Sequence, residues 1–204
     1  MTKINLNRVE LTNHLFSEFP NGKGVEVGTF KGAFSKNILS FWNGTLFMVD
    51  VWRKLGEEYV DMSNHANYKH GVYGEAMDNI EGFEDRGIMI RGTSKITSNM
   101  FLDGSLDFVY IDANHAYDFV KEDIDLWYPK VKEGGYLLGH DYLDMDWYND
   151  PAYSENNKNK HIWDHQGVYI GVFGVNPAVD EFCQKNNYNV TVNNEWYGTW
   201  YIKK

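Results

Sequence analysis

The sequence predicts an α/β fold, doubly wound around a mostly parallel sheet that finishes with an antiparallel strand. Three observations predict it. Short apolar runs of strand length alternate with segments whose apolar residues recur at helical spacing, as in parallel strands joined by right-handed helical crossovers. The apolar runs stop at polar tips, notably Asp50, Asp112 and the pair His140-Asp141. The chain closes with two β-like runs, NVTVN and TWYIK, that have no helix between them and must therefore pair antiparallel.

Taken in order, residues 1–21 form a polar, partly helical lead-in ended by Pro20-Asn21-Gly22. Residues 24–27 (GVEV) are the first strand, followed by a helix with Phe34, Ile38 and Phe41 on one side. Residues 45–49 (TLFMV) are the second strand and run into Asp50. A helix around 73–83 precedes a third strand at 88–90. Residues 106–111 (LDFVYI) are the fourth strand, and the following helix carries Val120, Ile124, Trp127 and Val131 on one face. Gly134-Gly135 break that helix, and 136–139 are the fifth strand. Asn176-Pro177 reads as an N-cap with a first-turn proline, opening a helix with Val179, Phe182 and Cys183. The two closing runs bring the expected sheet to seven strands.

Two segments break the alternation. Residues 52–71 and 142–169 are long, polar and rich in Asn, Tyr, Trp and His, and both follow strand carboxyl ends. Long loops in a compact α/β domain are commonly functional, so both are expected to cover a substrate. Tyr142, Trp147, Tyr148, Tyr153, Trp163 and Tyr169 could stack on a ring or simply anchor the loop. His161 and His165 are expected to be solvated or substrate-facing rather than a zinc site.

Composition narrows the function. A chain of 204 residues with 43% hydrophobic content can bury one good core, so a single domain over 1–204 is expected. A net charge of −10 with interspersed signs disfavours nucleic acid, whose phosphates want a basic face. No 18-residue apolar span and no signal-like start are present, so a cytoplasmic protein without membrane attachment is expected. Cys183, the single cysteine, sits at helical spacing with Val179 and Phe182 and reads as a small core residue.

In an open parallel sheet, ligands sit in the crevice at the strand carboxyl ends. Glu26-Val27-Gly28-Thr29-Phe30-Lys31-Gly32 places an acid in a strand, then a glycine turn, then a helix. It is E-x-G-x-x-x-G rather than the dinucleotide G-x-G-x-x-G, a wider turn suited to a nucleoside without a pyrophosphate. Asp50, at the next strand tip, can accept hydrogen bonds from both ribose hydroxyls. Asp112, His115, His140 and Asp141 would converge on the same rim, two carboxylates and two imidazoles.

These residues carry a resemblance. VEVGTFKGAFSKNIL, MVDVW, IRGTS, VYIDANHAYDFVKEDIDLWYPKVKEGGYLLGHDY and the closing AVDEFCQ…WYIKK resemble the class I S-adenosylmethionine-dependent methyltransferases from about Gly22 onward. The likeness is to the small O-methyltransferase branch (family 24 type) that includes macrocin and mycinamicin sugar O-methyltransferases, with catechol O-methyltransferase more distant. It implies a Rossmann-like sheet and transfer of a methyl group to a hydroxyl of a sugar or other small acceptor. It implies that Glu26, Gly28, Thr29 and Phe30 line the methionine and ribose part of S-adenosylmethionine, that Asp50 holds the ribose, and that Thr93 and Ser94 lie near the adenine. It further implies a divalent metal, usually magnesium, held at Asp112, His140 and Asp141, with His115 as general base. The His-Asp pair departs from the family pattern, and imidazole suits zinc, manganese or iron better than magnesium. Either His140 ligates a softer metal, or it faces the substrate and only Asp112 and Asp141 bind.

In this chemistry the donor is already activated, so alignment and an anionic acceptor oxygen matter most. A cation on that oxygen lowers its pKa, and an imidazole, with an unperturbed pKa near ~6.5, is suited to take the proton. Two rival functions remain: a non-catalytic cofactor-binding accessory protein, and a metal-dependent hydrolase using the His/Asp rim.

Overall fold

A computed structural model describes residues 1–56, 71–143, 157–160, 162–163, 169–171 and 174–204. The central strands are β2 (Lys23–Val27), β3 (Thr45–Asp50), β4 (Gly87–Arg91), β5 (Leu106–Ile111) and β6 (Val131–Tyr142). They lie side by side and parallel in the order β6-β5-β2-β3-β4. At the other edge, β10 (Gly198–Lys203) pairs antiparallel with both β6 and β9 (Thr191–Asn193). The closing pair is thus antiparallel, as the missing crossover requires.

The sheet has eight strands rather than the expected seven. The eighth is β1 (Thr2–Ile4), which adds parallel to β9 and begins where the Thr2 amide donates to the Val190 carbonyl at 2.9 Å. A three-residue edge strand has too little periodicity to be read locally. The rest of the lead-in is helix α1 (Arg8–Phe16), started by a reciprocal Asn7–Glu10 capping box. A separate two-stranded pair, β7 (Ile162–Trp163) with β8 (Tyr169–Gly171), lies within the second long segment.

Helices cover both faces because β5 is apolar on both. Phe108 and Tyr110 point to one core with Leu11, Leu15 and Phe16 of α1 and Ile38 and Leu39 of α2 (Ala33–Phe41). Val109 and Ile111 point to the other, with Val120, Ile124 and Trp127 of α5 (Tyr117–Trp127) and Val179 and Cys183 of α6 (Val175–Asn186). Two further helices, α3 (Val72–Asn79) and α4 (Ser94–Thr97), lie beside β4 in the chain. Cys183 is a core residue whose burial pushes its thiol up to about 12.

Helix α3 ends at Asn79 rather than near residue 83, and two other boundaries differ from expectation for identifiable reasons. Helix α5 stops at Trp127, a 3-10 turn spans Tyr128–Lys130, and Val131 opens β6 instead of extending the helical face. Pro129 has no N–H to continue the helical ladder, so it and not Gly134-Gly135 ends the helix. Helix α6 takes Gly174 as N-cap rather than Asn176, whose side chain instead donates to the Leu143 carbonyl at 3.0 Å. A Cβ on Gly174 would lie 1.9 Å from the Tyr117 amide, so the chain can cross there only without a side chain. Among the described residues, no helix is long and apolar enough to cross a membrane.

Candidate active site at the carboxyl rim

Strand register places the predicted residues on one edge. Val27 is opposite both Val49 and Ile111, and Ile111 is opposite Gly139, so Gly28, Asp50, Asp112 and His140-Asp141 all leave the same end of the sheet. Between these tips lies a cavity of ≈ 410 Å³ whose walls include Gly28, Phe30, Asp50, Thr93, Ser94 and Asp112.

The β2 turn is built tightly. Gly28 has φ 92°, and a Cβ there would stand 2.1 Å from the Asp112 carbonyl oxygen. Only glycine combines that backbone angle with that close approach. Asp50 organises the neighbouring turns: its two oxygens accept the Phe30 amide at 2.8 Å and the Trp52 amide at 2.7 Å. Phe30 and Trp52 are both left-handed, with φ 51° and 42°. The Trp52 indole then donates to the Phe30 carbonyl at 2.7 Å. Asp50 thus holds two left-handed turns at the wall of the cavity.

Glu26 and Thr29 lie behind the cavity wall, 2% and 4% exposed. Burial pushes the Glu26 carboxyl up to about 8, opposed by the Ser35 hydroxyl that donates to it and by the Arg8 cation. Thr29 Oγ1 and Asn114 Nδ2 are buried without a hydrogen-bond partner among the described residues. Asn114 lines the cavity and Thr29 adjoins its wall, so a polar ligand there would find donors and acceptors waiting.

The second half of the site is the acid–imidazole group. Asp112, His115 and Asp141 can bring one ligand atom each within 4.8 Å of one another. His115 Nε2 is 2.9 Å from Asp141 Oδ2 and 3.7 Å from Asp112 Oδ1, while His140 Nδ1 is 3.2 Å from Asp141 Oδ2. Asp141 is itself left-handed, with φ 59°. Burial alone would raise its carboxyl, but His115 and then His140 hold it well below the usual carboxylate range. The His115 carbonyl accepts the Gly174 amide at 2.7 Å, which fixes its loop against the start of α6.

Asp112 does not cap the following helix. The first amides of α5 go instead to the Asn114 side chain, the Lys158 carbonyl and the Asn159 side chain.

Sequence reasoning missed Arg8. Its Nη2 donates to Asp112 Oδ2 at 2.7 Å, and its guanidinium carbon lies 3.5 Å over the Phe34 ring centroid and 4.9 Å from that of Tyr110. Burial works against this cation, but Tyr110, Asp112 and Glu26 outweigh it and raise its pKa above the usual value. No local signal marks Arg8, since its partner is 104 positions away.

Much of the two long segments (57–70, 144–156, 161 and 164–168) lies outside the described residues, as do His161, His165, Trp147, Tyr148 and Tyr153. Of the aromatic set, Tyr142 is buried and donates to Asp180 at 2.7 Å, so it anchors rather than stacks on a ligand.

Residues 25–142 match the family described as Methyltransferase domain. An uncharacterized protein of Acanthamoeba polyphaga mimivirus is 29% identical over 126 residues, which take in 60% of this chain and 52% of that one. The chain thus spans about half the length of the curated relative it matches. The fold is similar to that of a candidate caffeoyl-CoA O-methyltransferase from Staphylococcus aureus, with TM-score 0.66, 18% identity and coverage of 98% of this chain and 86% of that one. It is similar to an O-methyltransferase family protein from Burkholderia thailandensis, with TM-score 0.61, 15% identity and coverage of 96% and 55%. It is also similar to the O-methyltransferase NovP, with TM-score 0.61, 17% identity and coverage of 97% and 79%. At these identities the likeness is one of fold.

Proposed function

The chain belongs to the methyltransferase domain family, and from that premise we propose that it is an S-adenosylmethionine-dependent O-methyltransferase acting on a small hydroxylated acceptor such as a sugar. One observation carries the reading: Asp112 belongs at once to the cavity wall and to the acid–imidazole group. A nucleoside held in the cavity and a hydroxyl held at the acidic group would therefore meet.

When bound, S-adenosylmethionine supplies a methyl group already activated on a sulfonium. The protein's part is alignment. Gly28, Thr29 and Phe30, backed by Glu26, would frame the methionine and ribose, Asp50 would take the ribose, and Thr93 and Ser94 would lie by the adenine. The orphaned Thr29 and Asn114 atoms support a polar occupant.

Asp112 and Asp141 also suit a divalent cation, although the imidazole grouped with them is that of His115 and not of His140. Such a cation would acidify and orient the acceptor hydroxyl. Asp112 and Asp141 would supply the oxygens. His140 either completes the set, which favours manganese, iron or zinc over magnesium, or stays on Asp141 through Nδ1. With its Nε2–H held on Asp141, His115 would take the acceptor proton at Nδ1, and the two carboxylates would stabilise the imidazolium.

The test is calorimetric and kinetic. S-adenosylhomocysteine should bind and raise the melting temperature, and a panel of hydroxylated acceptors should yield methylated product. His115→Ala should lose turnover by roughly 100-fold or more while keeping S-adenosylhomocysteine affinity, whereas Asp50→Ala should lose affinity first. No stabilisation by S-adenosylhomocysteine would point to a hydrolase, and binding without turnover on any acceptor would point to an accessory protein.

A further inference from the structure

Helix α5 carries a polar residue where its pattern calls for an apolar one. The buried stripe is Tyr117, Val120, Asp123, Ile124 and Trp127, and Asp123 is only 6% exposed. An unpaired acid on a core stripe is expensive to bury, so its surroundings should explain it. They do so in part. Asp123 lines the cavity together with Ser94 and Lys95 of α4, Thr93, and Phe119 and Glu122 of its own helix. Of the described residues, the Ser94 hydroxyl is the group that favours its ionised form. An ionised carboxylate has about four acceptor positions, so one hydroxyl cannot satisfy it. Burial pushes the carboxyl up to about 7, opposed by the Ser94 hydroxyl.

Position in the cavity narrows what the missing donor could be. Gly28 and Asp50 leave β2 and β3, Thr93 and Ser94 follow the neighbouring β4, and α4 packs on α5, which carries Asp123. Phe119, four residues before Asp123 on the same helical face, lines the cavity as well.

We propose that Asp123 is the specificity residue for the nucleobase: it accepts a hydrogen bond from the exocyclic amine of adenine, with Ser94 holding the carboxylate in that orientation. The proposal rests on the cofactor reading above and goes beyond it, because it assigns the reading of the base to a residue of α5. An amine donor completes the buried carboxyl, and a purine without that amine leaves it dehydrated and unmatched. Discrimination thus comes from the penalty on the wrong base as much as from the bond to the right one.

Calorimetry with two ligands tests this: S-adenosylhomocysteine, and its analogue whose purine lacks the exocyclic amine. The wild-type protein should bind the first more tightly by roughly 10-fold or more, the range of a hydrogen bond to a charged group. Asp123→Asn keeps a carbonyl acceptor and should keep a preference. Asp123→Leu should bind both ligands equally. A carboxyl that merely props α4 would change stability and leave the ratio alone, so a wild-type ratio in Asp123→Leu overturns the proposal. Should that variant fail to fold, Ser94→Ala decides in its place: a reduced ratio supports the assignment and an unchanged one overturns it. If the wild-type protein binds neither ligand, the cofactor reading falls and this one with it. If it binds S-adenosylhomocysteine without discriminating, only the Asp123 assignment falls.

Discussion

Arg8→Met removes the cation that ties the first helix to the carboxyl rim of the sheet, and its effect follows from the contacts. The mutation deletes the 2.7 Å charge-assisted hydrogen bond to Asp112 Oδ2 and the stacking over Phe34 and Tyr110. The first is worth about 1.5–3 kcal/mol and the second about 0.5–2 kcal/mol. Two effects pull the sum down. Methionine refills most of the space vacated by the arginine stem. The Arg8 and Asp112 side chains are also 20% and 19% exposed, so water can reach the orphaned carboxylate. The expected loss is about 2–3 kcal/mol, a fall in Tm of roughly 5–10 °C for a domain of this size. The Arg8 amide bond to Glu195, at 2.7 Å, is a backbone contact and should survive, so the helix start is not itself perturbed. Urea unfolding of Arg8→Met, Asp112→Asn and the double mutant isolates the pair term, expected at about 1.5–3 kcal/mol. A coupling near zero, or an Arg8→Met variant within about 0.5 kcal/mol of wild type, would refute the claim that this cation organises the rim.

Two further outcomes follow from the same geometry. Gly28→Ala must adopt φ 92° and bring a Cβ to 2.1 Å from the Asp112 carbonyl, which should destabilise by about 2–5 kcal/mol and weaken S-adenosylhomocysteine binding; urea unfolding and calorimetry check both, and wild-type values in each would show that the turn is not built as described. Glu26, raised to about 8 by burial, binds more protons folded than unfolded above the ordinary glutamate range. Stability should therefore decline as pH rises from about 4.3 toward 8. Glu26→Gln keeps an acceptor for Ser35 and should flatten part of that decline, the remainder belonging to Asp123, which is raised in the same direction. An unchanged pH profile in Glu26→Gln would show that the carboxyl is not buried as a neutral acid.

Legibility of the site follows how far apart its parts lie in the chain. Asp50, Asp112, His140 and Asp141 could be placed on one rim because each ends an apolar run, and a parallel sheet sends all such ends the same way. Gly28 could be read from an acid–glycine turn at a strand end. The double duty of Asp50, accepting two left-handed amides as well as facing the cavity, could not, because backbone angles at Phe30 and Trp52 leave no trace in residue type. Asp123 was hidden for a different reason: an acid beside Ile124 on an otherwise amphipathic helix looks like part of a solvated face. The edge strand β1 and the start of α6 at Gly174 depend on partners far along the chain, Val190 and Tyr117.

The sequence alone determined the α/β class, the succession of five parallel strands along the chain, the antiparallel close and the carboxylates at the strand tips. Those features are written in periods of two and of about three and a half residues, and in breaks between them, which act within a few positions. Only the tertiary structure decided that Arg8 would hold Asp112, that Asp123 would enter the cavity wall, and that His115 and His140 would both turn to Asp141. Such pairings arise when separate elements pack and bury charge together, and the energy that selects them belongs to the assembled core rather than to any local stretch of chain.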